Sequence, residues 1–154
     1  MKPILTAEMI NSFLSREFPQ IRTDEIPTFE VMNVSPGTTT VRFMPDKSHL
    51  RPGGTINGPA VFAVADVTAY VTLLAHIGPV VGAVTANLNI NFLHRPEPVP
   101  IEGIGKILKI GKQLSVIDVL IERTDTRQII ASATATFSAP LETNEKAGNT
   151  APAL

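Results

Sequence analysis

Residues 57–79 decide the fold of this chain, and they read NGPAVFAVADVTAYVTLLAHIGP. The run opens like a helix, because Asn57 is a good N-cap residue and Pro59 falls in the first turn, where its missing N–H costs least. It ends with Gly78 as a C-cap and a proline beyond it. Between these caps nearly every residue is apolar, so we predict one long central helix that is buried on every side.

The same run approaches the length of a membrane span, but its charge argues against one. Asp66 lies near its centre, and a carboxylate there would cost about 2.5–3.5 kcal/mol in lipid. The first 23 residues mix Lys2 with acidic residues, so they lack the apolar stretch of a signal peptide. We therefore expect no membrane partner and a cytoplasmic location.

The charges of the chain are balanced, with 13 lysines and arginines against 14 aspartates and glutamates in 154 residues. This balance gives no basic surface of the kind that nucleic acids require, so we expect no nucleic-acid partner. The absence of cysteine excludes disulfides and thiol catalysis. His49, His76 and His94 lack the spacing of a metal site, so we expect no metal, and no Gly-x-Ser-x-Gly sequence marks a serine hydrolase.

The rest of the chain reads as one further helix and a set of strands. Apolar residues at a spacing of three to four predict a helix over residues 6–18. Alternating or β-branched segments predict strands at 28–33, 38–44, 82–93, 101–110, 114–122 and 128–138. Short connections favour antiparallel pairing, so we predict an α+β domain over residues 1–141, with about six antiparallel strands wrapped around the long helix. Residues 142–154 are expected to form a flexible tail.

The predicted strand at 82–93 has one apolar and one polar face. Strict alternation places Val84, Ala86, Leu88, Ile90 and Phe92 on the first and Thr85, Asn87, Asn89 and Asn91 on the second. The polar face suits either a solvated surface or a hydrogen-bonded contact between subunits.

Asp66 is the first candidate for chemistry, because a carboxylate in an apolar helix is costly unless it is paired or neutral. Desolvation favours the neutral acid and can tune a carboxylate toward general-base work. A structural role is equally compatible with the sequence: a hydrogen bond to backbone, or an ion pair with Arg51 or Arg95. The start of the helix is the second candidate, because its free N–H groups suit a phosphate or an oxygen that acquires negative charge.

Lysines near the predicted strand ends are a third candidate. Lys106, Lys109, Lys112 and Arg123 would suit the phosphates of a nucleotide if they formed one patch. Solvated strand faces are also commonly charged, so both interpretations stay open.

Residues 49–59, HLRPGGTINGP, and Val64-Ala65-Asp66 resemble the PaaI-like hotdog thioesterases. The family pattern is H-x-N-x-x-G-x-x-H-G-G, followed by an aspartate nine residues after the second histidine. His49, Gly54, Gly58 and Asp66 match it in register. The strand after the helix also resembles the family's, with Thr85 at its Ser/Thr position, and the resemblance spans about residues 28–140. It implies the hotdog fold.

The resemblance implies hydrolysis of an acyl-CoA thioester, with no cofactor apart from the coenzyme A of the substrate. Gly58 would donate its N–H to the thioester oxygen, Asp66 would act as general base or nucleophile, and Thr85 would hold the aspartate or the water. Asn57 replaces the motif histidine, and it can still cap the helix and form hydrogen bonds. Pro59 replaces the second glycine and leaves the N–H donor of Gly58 intact.

Arg51, which replaces the motif asparagine, is the largest departure from the family pattern. Its cation would lower the pKa of the carboxyl group or bind an acidic acyl group or a CoA phosphate. Two alternatives stay open: a non-catalytic acyl-CoA-binding oligomer, and an enoyl-thioester hydratase, which normally requires a His–Asp pair.

Substrate contacts are expected from the motif residues Arg51, His49 and Pro59, from the aromatic Phe62 and Tyr70, and from Lys109 and Lys112. Phe62, Tyr70 and a third aromatic residue, Phe92, suit an acyl pocket or simply the core.

Geometry predicts the assembly. Gly58 and Asp66 are eight residues apart, about 12 Å along one helix, whereas a base and an oxyanion donor must both lie within about 3 Å of the reacting atoms. Two antiparallel helices related by a two-fold axis would meet this need, so we predict a homodimer with composite sites. The resemblance further suggests a dimer of dimers, a homotetramer.

Overall fold

The computed structural model describes residues 1–21 and 26–139, so the predicted tail at 142–154 lies outside the described residues. Its helices are α1 (Ala7–Glu17) and α2 (Gly58–Ile77), with short 3₁₀ turns at Pro19–Ile21 and Lys47–His49. Its strands are β1 (Phe29–Ser35), β2 (Thr38–Phe43), β3 (Val84–Phe92), β4 (Ile101–Ile110), β5 (Leu114–Arg123) and β6 (Ile129–Ser138). Every predicted helix and strand is present, with ends shifted by two residues at most.

The six strands form one antiparallel sheet in the order β1-β2-β4-β5-β6-β3. The sheet curves around α2, which contacts every strand, and α1 packs beside β1 and α2. The chain enters α2 from β2 and leaves it into β3 at the far edge of the sheet. This is the predicted α+β arrangement of strands wrapped around one helix.

Both predicted caps of α2 are present. The Asn57 side chain accepts a hydrogen bond from the N–H of Ala60 at 2.8 Å. At the other end Gly78 adopts a φ of 100°, a conformation that other residues rarely take. His76 is buried in the last turn, where its Nδ1 lies 2.8 Å from the carbonyl oxygen of Thr72 and its Nε2 accepts from the N–H of Gly37. His76 therefore ties the end of α2 to the turn between β1 and β2.

The contact between α2 and the centre of the sheet is unusually close. Thr68 and Thr72 are fully buried and face Gly103 and Gly105 of β4, where an added Cβ atom would overlap the threonine hydroxyls. The Thr72 hydroxyl also lies 2.7 Å from that of Thr39 in β2 and donates to the carbonyl of Thr68. Glycine in β4 thus lets the helix lie against the sheet.

The prediction that α2 is buried on every side is wrong for the single chain. The helix is long and apolar enough to cross a membrane, yet two-thirds of it is buried inside the protein, as in a core helix. A stripe at helical spacing stays uncovered or half-covered: Pro59, Phe62, Ala63, Asp66, Val67 and Tyr70. The sheet wraps the remaining sides only, because it ends at β3.

The alternation predicted for β3 is wrong at its first residues. A bulge at Ala86 shifts the pairing with β6, so that Thr85 lies opposite Phe137 while Asn87 lies opposite Thr136. Because a bulge reverses the faces, Thr85 joins Leu88 and the other residues on the helix side instead of the asparagines. The polar face predicted for Asn87, Asn89 and Asn91 is present on the outer side, where these residues line a groove with Ser132 and Thr134.

Candidate active site

Asp66 and Thr85 form a hydrogen-bonded pair on the helix side of the sheet edge. The Thr85 hydroxyl donates to Oδ1 of Asp66 at 2.6 Å. The pair borders a cavity of about 330 Å³ with apolar walls that include Phe18, Val67 and Phe137. A carboxylate held by one hydroxyl beside an apolar cavity can accept a proton from a water molecule there.

Asp66 is half-buried, which corrects the prediction that it is enclosed in the core. Within the described residues it forms no ion pair, so the alternative of a bridge to Arg51 or Arg95 is not observed. Its carboxylate is therefore available to react rather than committed to a structural bridge.

Tyr70 lies one helical turn beyond Asp66 and lines the same cavity. Its ring packs against Phe18 and Phe137, and its hydroxyl donates to the carbonyl of Val80 at 3.3 Å. Burial, together with the negative charge of Glu17, raises the pKa of Tyr70 to about 12. Tyr70 is thus a neutral wall of the cavity across the physiological pH range.

The first turn of α2 offers a single N–H group without a partner in the described part of the chain. The N–H of Ala60 is taken by the Asn57 side chain, and that of Val61 by the Asn57 carbonyl at 3.2 Å. Pro59 has no N–H, and Gly58 has no hydrogen-bond acceptor in the described chain. Asn57 and Pro59 therefore leave Gly58 as the sole donor at the helix start, where the helix dipole favours negative charge.

This N–H borders a second cavity, a groove of about 540 Å³. Asn57, Gly58 and Pro59 form one wall, and Arg51 lies beside them. Phe92, at the end of β3, closes the groove from the sheet side. We call it the helix-start groove.

Asp66 and Gly58 line different cavities of one chain, as their spacing along α2 predicts. The Asp66 cavity lies at the beginning of β3, beside Val84 and Thr85. The helix-start groove lies at its end, beside Phe92. Within one chain, Asp66 and the N–H of Gly58 therefore face separate cavities.

Four other predicted residues lie outside both cavities. The ring of His49 accepts from the N–H of Asp46 and packs on Phe43, while its carbonyl accepts from the N–H of Asn57. His49 thus positions the loop before α2. Phe62 is 41% exposed on the open stripe of α2. Lys109 and Lys112 lie at and just beyond the end of β4 and line neither cavity.

Of the two interpretations of the basic residues, a single patch that includes Arg123 is not observed. Lys112 precedes β5, whereas Arg123 ends it, and ten residues of strand span about 30 Å. Arg123 also pairs with Asp125 at 2.8 Å.

The sequence interpretation missed Phe18 in the Asp66 cavity, and His94 and Arg95 in the helix-start groove. Arg95 reaches the groove because the N–H of Ile56 bonds to the carbonyl of Pro96 at 2.9 Å, a contact between segments 40 residues apart. No local pattern signals such a contact. In the described residues, no group of three or more histidines and carboxylates is arranged to hold a metal.

Comparison with known proteins relates this arrangement to a family. The family model of the thioesterase superfamily matches residues 53–130. The crystal structure of a putative thioesterase from Silicibacter sp. TM1040 is 35% identical, covers 91% of this chain and 95% of its own, and superimposes with a TM-score of 0.82. A putative esterase of Thermoplasma acidophilum is 29% identical over 91 residues, 59% of this chain and 68% of that protein.

A variant of the phenylacetic acid degradation protein PaaI from Thermus thermophilus shares the fold. It is 17% identical, covers 72% of this chain and 92% of its own, and has a TM-score of 0.63. The sheet wrapped around one central helix is therefore the hotdog fold that the sequence resemblance implies.

Proposed function

Because this chain belongs to the thioesterase superfamily, as a PaaI-like hotdog protein, we propose that it hydrolyses the thioester of an acyl-CoA. Thioester hydrolysis in general follows from the family; the acyl-CoA substrate and the residue roles are our proposal. The observation that carries it is that, within the described residues, α2 presents a carboxylate without an ion pair, Asp66, and an N–H without an acceptor, Gly58, beside the two ends of one edge strand. Cytoplasmic location stays a prediction of the sequence.

In the proposed reaction Asp66 takes a proton from water as the water oxygen attacks the carbonyl carbon. Negative charge on the former carbonyl oxygen is stabilised by the N–H of Gly58 and the dipole of α2. The tetrahedral intermediate then expels the coenzyme A sulfur, which takes the proton from Asp66. The products are a free carboxylic acid and the thiol of coenzyme A. Thr85 keeps Oδ1 of Asp66 in place, so that Oδ2 is free for the water.

We propose that each site combines Asp66 of one chain with Gly58 of another. Strand β3 is a sheet edge, so its outer backbone groups can pair with a second copy. Antiparallel pairing of two β3 strands about a two-fold axis brings the Thr85 end of one against the Phe92 end of its partner. Gly58 lies close to the Phe92 end of the strand, because a Cβ atom added to Gly58 would be 3.9 Å from Cζ of Phe92.

The exposed apolar residues support the same dimer. Val84 is 60% exposed and Phe92 is 56% exposed, at the two ends of β3. The open stripe of α2 runs beside this edge. A partner that paired its own β3 with this edge would cover these two residues and the open stripe, and would shield the Asp66 cavity from bulk solvent.

A dimer of dimers is proposed from the outer face of β3. The side chains of Asn87, Asn89 and Asn91 have no hydrogen-bond partners among the described residues, and the groove that they border has a volume of about 400 Å³. Three such carboxamides in a row suit a hydrogen-bonded contact with a second sheet.

An enoyl-thioester hydratase is disfavoured by the position of Asn57. The family histidine position holds a carboxamide whose oxygen is occupied by the helix cap, so it cannot shuttle a proton. A non-catalytic acyl-CoA-binding oligomer is the remaining alternative, which the following experiment separates.

The test is release of the coenzyme A thiol from short, long, aromatic and dicarboxylic acyl-CoAs. We expect saturable hydrolysis of at least one class, reduced at least about 100-fold by Asp66→Asn. Asp118→Asn is a matched control, because Asp118 is also half-buried and also accepts from a threonine hydroxyl, Thr134 at 2.7 Å, on the opposite face of the sheet. Binding without turnover would favour the non-catalytic alternative, and equal activity of the two variants would contradict the role of Asp66.

A further inference from the structure

No acidic residue in the described part of its own chain lines the helix-start groove. Its lining includes Arg51, His94 and Arg95 but no aspartate or glutamate. The chain as a whole has a formal charge of −1, so this concentration of positive charge is local.

The two arginines of this groove differ from the other arginines in the described residues. Arg16, Arg42, Arg123 and Arg127 each lie within 4 Å of a carboxylate oxygen. Arg51 and Arg95 have no carboxylate within that distance in the described part of the chain. Arg51 and Arg95, the arginines of the described residues that form no ion pair, thus line the same groove.

Backbone hydrogen bonds fix the segments that carry these arginines. The N–H of Arg51 bonds to the carbonyl of Thr55, and Ile56 joins this loop to Pro96, the residue after Arg95. On the other side Nδ1 of His94 lies 2.8 Å from the carbonyl oxygen of Ile129. The backbone segments that carry the two cations are therefore held next to each other, which lowers the entropic cost of ordering these loops around a ligand.

Two guanidinium groups without counter-charges favour an anion, because each can bind carboxylate or phosphate oxygens through two parallel N–H groups. On the basis of the proposed function, we propose that Arg51 and Arg95 bind an anionic group of the thioester substrate in the helix-start groove. The anion is either a phosphate of the coenzyme A carrier or a carboxylate at the end of a dicarboxylic acyl group. The two sources share the same chemistry and differ in which half of the substrate carries the charge.

The experiment compares thioesters that carry these charges separately. The probes are a neutral acyl-CoA, the same acyl group on pantetheine, which has no phosphate, and a dicarboxylic monoacyl group on each carrier. Arg51→Gln, Arg95→Gln and the double variant are measured beside Arg16→Gln. Arg16 is an exposed arginine of α1 that borders neither cavity of the proposed site, so it controls for the change in net charge.

We expect each single variant to raise KM for the recognised anionic thioester about fivefold, and the double variant about twentyfold, with Arg16→Gln unchanged. A rise confined to CoA thioesters assigns the phosphates, and a rise confined to dicarboxylic thioesters on either carrier assigns the acyl carboxylate. The wild-type KM should also increase with salt, while that of the double variant should not. An unchanged KM for every probe, or an equal rise for the neutral pantetheine thioester, overturns the proposal.

Calorimetric binding of the same probes separates this inference from the proposed function. A protein that hydrolyses none of the thioesters, yet binds the anionic ones and loses that affinity in the double variant, contradicts hydrolysis and supports the anion site. Hydrolysis with identical affinities in wild type and double variant contradicts the anion site alone.

Discussion

The hydrogen bond from Thr85 is the contact that orients the proposed base. Thr85→Val removes the donor and keeps the shape of the side chain, so Asp66 becomes free to rotate out of line with the water. Because small misplacements of a catalytic group are costly, we expect kcat to fall about 10- to 100-fold, while Thr85→Ser retains most of it. Steady-state hydrolysis of the best acyl-CoA measures the change.

A second threonine–aspartate pair provides the control for this prediction. Thr134→Val breaks the equivalent bond to Asp118 on the outer face of the sheet. Thr134 also lines the groove of the proposed contact between dimers, so the kcat of Thr134→Val is compared at the same assembly state as wild type, where we expect it to be unchanged. Equal losses for the Thr85 and Thr134 variants would indicate a general loss of structure. Full activity of Thr85→Val would exclude a positioning role for Thr85.

Tyr70 allows a direct titration of the Asp66 cavity, because it is the only tyrosine and the chain has no tryptophan. Near-ultraviolet absorbance of tyrosinate should appear with a midpoint of about 12 in the native protein and near the ordinary value of 10.0 in denaturant. The pKa is higher in the folded state, so this tyrosine's contribution to stability is complete below pH 10 and is lost as the pH rises toward 12. A native midpoint near 10 would mean that the ring is not buried.

At the level of elements, the close contact between α2 and β4 depends on the absence of side chains in the strand. Gly105→Ala would force a methyl group against the hydroxyl of Thr72, and we expect the free energy of unfolding to fall by about 1–3 kcal/mol. Thr72→Ala in the same chain should recover part of this loss. Urea denaturation of the single and double variants measures both effects.

Gly82→Ala is the matched control for Gly105→Ala, since an added Cβ there meets no atom within 4 Å. Its unfolding free energy should stay within about 0.5 kcal/mol of wild type. If both glycine variants were equally stable, the helix would have to lie farther from the sheet than the structure shows.

Elements with local signals were predicted well from the sequence. The caps of α2 at Asn57 and Gly78 depend on hydrogen bonds between near neighbours, which residue type alone reveals. The bulge at Ala86 has no such signal, because one extra residue in a strand leaves the alternating pattern unchanged on either side. The pattern therefore placed Thr85 on the wrong face, while the family resemblance alone placed it beside Asp66.

Only part of the candidate site could be predicted, because some of its contacts join segments that are distant in the sequence. Asp66 stands out as a charge in an apolar helix, and Gly58 follows an N-cap, so both could be identified from neighbouring residues. Arg95 joins Gly58 through a loop contact between distant segments, and the burial of Asp66 depends on where the sheet ends. These are properties of the folded chain that no segment encodes alone.

At the scale of the whole molecule, the sheet ends at β3 and leaves one stripe of α2 open. The predicted burial of α2 on every side would be correct only in an assembly that covers this stripe. Gly58 and Asp66 flank the same edge, near opposite ends of β3. We therefore propose a dimer as the active unit, in which one partner covers the stripe and completes the site.

Mixing experiments test this assembly. Gly58→Pro deletes the free N–H, and Asn57 already has the extended backbone that precedes a proline, with φ −73° and ψ 158°. Gly58→Ala keeps the donor and should stay active. Gly58→Pro and Asp66→Asn dimers should each lose at least about 100-fold in kcat. Random mixing of the two should restore about a quarter of wild-type activity, because half of the dimers then hold one intact site of two.

The reciprocal mixture distinguishes composite sites from self-contained ones. A chain that carries both Gly58→Pro and Asp66→Asn, paired with a wild-type chain, breaks both sites of the dimer if each site draws on two chains. If each site belongs to one chain, the wild-type half keeps its activity. We therefore expect verified heterodimers of the double variant with wild type to be inactive. Verified heterodimers of Gly58→Pro with Asp66→Asn should be active. The opposite result would place Gly58 and Asp66 in one chain's site, which the eight-residue separation along α2 could accommodate only if the helix were broken.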